Sequence, residues 1–407
     1  MLTTGIRAVF LSTKKISAVR KMFSTSQRYS RSLRIDSYHI PILANGFAVV
    51  NSPYTLNIKP LDPSEYIEDE DFLMIVKEGQ EMPSKASARV SLDLNIRDEM
   101  RRIHRQDFKQ EFMKNISYDR RVVTRDQVQF LEVSCQPQAK YPFPVVDISL
   151  CLEIPVQFNM MIKASQYADV YVSNLEGGSF HEITTELGNC YLSNLKATDV
   201  HVKTKGGDII CPSYLLAEFG TLETEGQGKI SVEKLQGRKF CIDSEAGGVH
   251  AGSMYVSLGE VKTDAGPIKL GSIHGSADVK SKSSDISVNS VSGNLSAATV
   301  TGDIFLHLSQ FEGINLKSSK GNIAVTLESD EPCYASTSIV AKEISSSITL
   351  SDGSEIEEDG CKRLQGHIHI GNKSWENTKK QILAQAKHGR FDLGLKDWFS
   401  SLQLGKK

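Results

Sequence analysis

Between residues 165 and 327 the apolar positions repeat with a nearly fixed period: Ser or Thr, two or three residues, a small residue, then an alternating apolar pair. The Ser/Thr positions are Ser165, Thr185, Thr204, Thr224, Ser244, Thr263, Ser281, Thr299 and Ser318, spaced by 18 to 20 residues, which makes nine copies. In "TKGGDIIC" (Thr204 to Cys211) and "TVTGDIFL" (Thr299 to Leu306) the small residue precedes a two-residue alternation, the mark of a turn feeding a strand. Glycine suits a corner that calls for positive φ, and alternation places Ile209, Ile268, Ile286, Ile304 and Ile323 on one inward face. A second alternation leads into each corner, through Val200 and Val202, Phe240 and Ile242, Val256 and Leu258, and Ile314 and Leu316. Two or three short strands per coil result. A coil of roughly 19 residues cannot bury its apolar face alone, so copies must stack. The pattern predicts an all-β fold, a β-solenoid over residues 164–335, and at ~4.8 Å per rung a rod on the order of 40 Å long.

The flanks read differently. Residues 36–163 hold alternating runs such as "FAVVNS", "YTLNIKPL", "FLMIVKEG", "ARVSLDLNI" and "VQFLEVSC", which predict a smaller antiparallel β domain. Within it, residues 97–126 carry nine Lys/Arg against six Asp/Glu, with Met100, Ile103, Phe108 and Phe112 as a ragged apolar stripe, and read as a charged helix or loop. Beyond the last repeat, residues 336–371 read as terminal strands. Residues 372–407 read as a helix from Ser374 to about His388, followed by an aromatic cluster around Phe391, Trp398 and Phe399. A solenoid leaves an unpaired edge at each end, so this tail is expected to cap the last coil and keep the protein monomeric.

Composition sharpens the boundary, since residues 165–327 hold 20 of the 30 glycines but only 2 of the 12 prolines, as turn-rich, fully paired strands require. Charge speaks about compartment. Residues 1–35 contain eight basic residues, no acidic ones and ten Ser or Thr, and Ile6, Val9, Phe10, Ile16 and Val19 fit one helical face. That is the make-up of a mitochondrial presequence, with the matrix as destination. Without those eight basic residues the formal charge moves from −2 to −10, which argues against nucleic acid as a partner. The longest apolar stretches fall short of the ~20 residues that span a bilayer.

No constellation specifies a reaction, a cofactor or a metal site. Seven cysteines lack CxxC spacing, and Cys190, Cys211 and Cys241 fall on strand positions as small buried hydrophobes. Cys361, His367 and His369 form a metal-like grouping of weak spacing. After each corner comes a column of Asp169, Asn189, Asp208, Asp285, Asp303 and Asn322, residue types that cap turn N–H groups. Asp285 and Asp303 fall in adjacent rungs, ~5 Å apart, where two carboxylates can share a cation or a proton.

On "KPLDP" (Lys59 to Pro63), "VKTKGGDIIC" (Val202 to Cys211), "EKLQG" (Glu233 to Gly237), "LGSIHGSADVKSKSSDISV" (Leu270 to Val288) and "DWFSSLQL" (Asp397 to Leu404) the chain resembles an animal mitochondrial family, family with sequence similarity 185. Its repeats resemble a bacterial adhesin-like β-solenoid domain. The resemblance implies a fold and a compartment and supplies no catalytic residue. The expected function is a non-enzymatic scaffold or protein-interaction module in mitochondria. The alternative is a carbohydrate-active β-helix enzyme with a paired-carboxylate site on an outward face.

Overall fold

The computed structural model describes residues 31–62, 85–96, 113, 116–137, 146–329, 332–358, 360–371 and 380–396, and its extended elements are all β-strands. The first seven are β1 (Arg31–Leu43), β2 (Gly46–Ser52), β3 (Thr55–Pro60), β4 (Lys85–Ile96), β5 (Ile116–Arg125), β6 (Val128–Pro137) and β7 (Val146–Ile154). Five short ones follow: β8 (Asn159–Ala164), β9 (Val170–Ser173), β10 (Glu176–Thr185), β11 (Cys190–Ser193) and β12 (Leu195–Thr204). Each of the next coils is one long bent strand: β13 (Ile209–Thr224), β14 (Ile230–Ser244), β15 (Val249–Thr263), β16 (Ile268–Ser281) and β17 (Ile286–Thr299). The chain then runs through β18 (Ile304–Leu308), β19 (Gln310–Ser318), β20 (Ile323–Glu328), β21 (Cys333–Ser346), β22 (Leu350–Glu358), β23 (Cys361–Ile370) and β24 (Gln381–Lys396).

Successive coils pair in parallel, so that each inward residue stacks on its counterpart one coil away: Ile209 on Ile230, Ile230 on Val249, Val249 on Ile268, Ile268 on Ile286. All five expected rung isoleucines are fully buried. The residue that closes each coil forms a column, and the pairing registers count twelve rungs along it: Ser52, Ala164, Thr185, Thr204, Thr224, Ser244, Thr263, Ser281, Thr299, Ser318, Ala386 and Ala341. Ser165 is therefore not the first member. Its corner has one extra residue, as has the corner after Thr224, and the rung position falls to Ala164.

Both ends depart from simple stacking. At the first, β2 lies between β6 and β8, and β3 between β7 and β9, all in parallel. At the other, β24 lies between β19 and β20 on one side and β21 on the other, again in parallel. Strands β2 and β3 near one end of the described chain and β24 at the other thus supply interior rungs, and other strands close the stack. The closing strands are antiparallel: β5 on β6, β4 on β7 with β1 beyond it, and β23 on β21 with β22 beyond it. The exposed edge strand β22 carries Asp352, Glu355 and Glu357, which discourages edge-to-edge pairing.

Several expectations change accordingly. The N-terminal strands are mixed rather than antiparallel, because β2 and β3 serve as a coil of the stack. The charged stretch 97–126 ends in a strand: Asp126 and Gln127 both take positive φ (49° and 67°), the turn that joins β5 to β6 as a hairpin. The basic N-terminal segment overlaps the fold, since β1 begins at Arg31 and Ile35 is buried. The helix expected to about His388 is the strand β24 over Gln381–Lys396. Ile382, Ala384 and Ala386 are buried by alternation, and after a change of phase at the exposed Lys387 and His388 so are Phe391 and Leu393, while Ala386 and Ile382 share one face of a strand as readily as one face of a helix. Trp375, Trp398, Phe399 and the run "FLMIVKEG" lie outside the described residues.

Alternation makes a graded prediction. Ile304→Ala and Ile323→Ala are each expected to destabilise by roughly 2–5 kcal/mol through lost burial and a cavity. Ser287→Ala, on the outward side of β17, is expected to stay within about 0.5 kcal/mol. Urea melts of the three variants check this, and equal effects would contradict the inward/outward assignment.

Candidate functional site

The rung hydroxyls are structural. Thr185 Oγ1 donates to the Gly188 carbonyl at 2.8 Å and Ser244 Oγ to the Gly247 carbonyl at 2.9 Å, while Thr299 Oγ1 and Ser318 Oγ accept from the Gly302 and Gly321 N–H groups at 3.1 and 2.9 Å. Each satisfies a buried backbone group where the chain turns.

The Asx column is a ladder between coils. Asp169 Oδ1 accepts the Asn189 N–H at 2.7 Å, Asn189 Oδ1 the Asp208 N–H at 2.9 Å, and Asp208 Oδ1 the Lys229 N–H at 2.8 Å. It resumes from Asp285 to Asp303 at 2.9 Å, from Asp303 to Asn322 at 2.7 Å, and from Asn322 to Arg390 at 2.9 Å. Between the two runs the column holds Lys229, Gly248 and Pro267, so Pro267, which has no N–H, follows a glycine that has no side-chain acceptor. Asp285 and Asp303 do sit in adjacent rungs. Each spends one carboxylate oxygen on the backbone of the next coil, as a structural ladder does. Burial raises the pKa of Asp169, against the pull of the Asn189 N–H.

The other candidates do not assemble. Cys190 and Cys211 are buried, and burial pushes the Cys190 thiol up strongly and that of Cys211 up to about 11. Cys241 departs from its expected place. It points outward and is half-buried, because its neighbours Phe240 and Ile242 take the inward positions. Cys361 contacts the Lys387 carbonyl at 3.5 Å, whereas His367, six residues along β23, stacks on Tyr334 with ring centroids 5.3 Å apart. No group of three or more metal-ligating side chains occurs among the described residues.

His181 was not singled out by pattern, although "HEITT" alternates His181, Ile183 and Thr185 inward. It is fully buried between Met160 and Val200 of the neighbouring rungs, neither ring nitrogen makes a well-formed hydrogen bond, and burial, opposed by the adjacent Phe180 backbone, lowers its pKa to about 4. With the folded value below the ordinary 6.5, the neutral ring is the folded form. Stability is full above pH 6.5 and falls as pH drops toward 4, by about 3 kcal/mol in all. His181→Met is expected to raise the melting midpoint at pH 7 and to flatten its decline between pH 7 and 4.5. A variant with the wild-type slope would contradict this.

The outward faces are mostly ion-paired from coil to coil: Lys203 with Glu223 at 3.2 Å, Arg238 with Glu218 at 2.7 Å, Lys239 with Glu260 at 2.9 Å and Lys282 with Asp264 at 2.7 Å. Such exposed pairs fix little energy. Among the outward apolar side chains, two border a groove. Leu258, expected inward with Val256, is 39% exposed because the register shifts between them, and Gly259 and Val261 take the inward places. Together with Leu383, 36% exposed on β24, it flanks a groove of about 350 Å³ whose floor includes Ser276, Asn294 and Gly313. The groove needs both the shifted register of β15 and the inserted strand β24, neither of which the repeat pattern reveals.

Among known proteins, residues 221–393 match the family model Toastrack DUF4097, a span that begins within β13 and ends within β24. The chain is also similar to solved structures of bacterial adhesin-like proteins. That of Parabacteroides merdae is 10% identical with a TM-score of 0.33, over 90% of this chain and 97% of the other. That of Parabacteroides distasonis is 9% identical with a TM-score of 0.35, over the same shares of the two chains. That of Bacteroides fragilis is 7% identical with a TM-score of 0.26, over 89% and 97%.

Proposed function

We propose that this chain is a non-enzymatic scaffold of the mitochondrial interior, whose rod docks a protein partner on an outward sheet face. The observation that carries the reading is the groove between Leu258 and Leu383, an apolar surface bordered by the ion pairs Lys239–Glu260 and Lys280–Asp278. The paired-carboxylate alternative is weaker, because Asp285 and Asp303 already serve as backbone acceptors.

The mitochondrial part rests on the eight basic and no acidic residues of positions 1–35. The burial of Ile35 supports a cleavage point upstream of Arg31, and within this reading we propose residues 23–30 for it. Replacing Arg7, Lys14, Lys15, Arg20 and Lys21 by Glu is expected to abolish import, and a variant still imported would remove the compartment from the proposal. Proximity labelling from the mature protein in intact mitochondria tests docking. A reproducible partner set supports it, and labelling no richer than that of a diffusing control would overturn it.

A further inference from the structure

We infer that the groove between Leu258 and Leu383 receives an extended acidic segment of a partner protein, an apolar side chain seated in the groove and carboxylates on a lysine column beside it. The inference rests on the docking reading and adds the face and the chemistry of the occupant. Two residues along each strand from the groove-lining positions Asp278 and Asn315 lie Lys280 and Lys317, and Lys262 holds the same place on β15. All three are exposed and point outward from the same sheet face as Leu383, where Lys262 and Lys280 also pair on their own strands with Glu260 at 3.6 Å and with Asp278.

At the adjoining corner Lys282, Lys320 and Lys387 continue the strip, all exposed. Residues 258–264, 276–282, 294–301, 312–320 and 381–388 together hold these six lysines against four carboxylates, Glu260, Asp264, Asp278 and Glu312. The matching stretches of the two preceding coils, 219–225 and 239–245, hold Glu223, Glu225, Asp243 and Glu245 against Lys239. The coils that build the groove together carry a surplus of lysine that the two coils before them lack, in a chain whose formal charge is −2. Field and shape coincide, and they select a ligand that is acidic and apolar at once.

The geometry favours an extended segment lying along the rod. Rungs repeat every ~4.8 Å, so Lys262 and Lys280 are one step apart and Lys280 and Lys317 two steps. An extended chain places alternate side chains ~6.8 Å apart, between those two spacings, and points the residues between them the other way, into the groove. Small floor residues, Ser276 and Gly313, leave room for one branched or aromatic side chain between the two leucines.

Full-length protein panned against a displayed library of random peptides tests this. Wild type is expected to enrich sequences in which an apolar residue is flanked by Asp or Glu. Leu258→Asp is expected to weaken a selected peptide about tenfold or more, and the triple variant K262E/K280E/K317E to select Lys- and Arg-rich peptides instead. These side chains are exposed, so unchanged melting midpoints verify that the variants fold. Enrichment indifferent to the substitutions would overturn the face and leave docking standing. An empty selection would overturn the groove as a peptide site, while docking itself is judged by the labelled partner set. A dimer of the wild type that Leu258→Asp dissolves would give the groove to a second copy, whose exposed Ile356 stands between Glu355 and Glu357, and would overturn the inference as stated.

Discussion

Gly266→Ala is expected to destabilise the rod by on the order of 2–4 kcal/mol, far more than an exposed corner residue normally costs. The added Cβ would stand 1.7 Å from the Gly247 carbonyl oxygen and 2.1 Å from its carbon. These are backbone atoms of the preceding rung, fixed by parallel pairing on both sides, so they cannot yield without separating two coils. The same approach recurs at Gly188, Gly207, Gly228, Gly247, Gly302, Gly321 and Gly389, where an added Cβ would meet a carbonyl oxygen at 1.8 to 2.4 Å. None of these column glycines takes positive φ, whereas Gly226, two residues before Gly228 in the same corner, does, at 61°. The column is glycine because rungs approach closely, and the positive-φ explanation that the corner pattern suggests does not apply to it.

Two controls separate the causes. Gly360→Ala tests conformation alone, since Gly360 has φ of 71° and nothing within 4 Å of a new Cβ, and about 1 kcal/mol is expected. Between Gly188 and Gly389, Ser284 is the one residue of the column that carries a side chain, its hydroxyl donates to the Ala265 carbonyl, and Ser284→Gly is expected to be neutral or stabilising. Urea melts give all three values. A cost for Gly266→Ala no greater than that for Gly360→Ala would mean that the rungs relax, and the close-approach account would fail.

What the sequence reveals follows from which positions are locally determined. Ile209, Ile268, Ile286, Ile304 and Ile323 were legible because inward burial imposes the same residue type at the same offset from each corner. The Asx ladder was legible as turn capping for the same reason. Leu258 was not, because a one-residue register shift inside a strand reverses which side chains face the core without altering composition. The Ser165 slip has a like cause, an extra corner residue that preserves spacing to the next Asx. The ends were least legible of all. "AKHGRFDL" (Ala386 to Leu393) is a rung of the same pattern as "SSKGNIAV" (Ser318 to Val325), with Gly389 in the glycine column and Phe391 at the isoleucine position. Ala in place of Ser, Arg in place of Asn and an intervening excursion hide it from a search by period.

That hidden rung makes truncation informative. A chain ending at Gly371 is expected to lose β24 and with it the soluble folded state, and the reason is not the removal of a cap. β24 fills the space between β19 and β20 on one side and β21 on the other, with Ile382, Ala386 and Phe391 fully buried. Without it, two parallel edges face each other across a missing coil, and Ile314, Leu316, Ile323 and Ile339 lose the layer packed against them. Unpaired strand edges beside exposed core residues recruit other chains, so aggregation is expected in size-exclusion chromatography and the cooperative melt should disappear. A chain ending at Lys396 retains all twelve rungs and is the control, although it lacks Trp398 and Phe399. It is expected to melt near the full-length midpoint. Were the shorter chain a monomer with an unchanged midpoint, β24 would be dispensable to the stack. Were the two truncations equally damaging, the essential element would lie in the last eleven residues, and the original expectation of a capping tail would return.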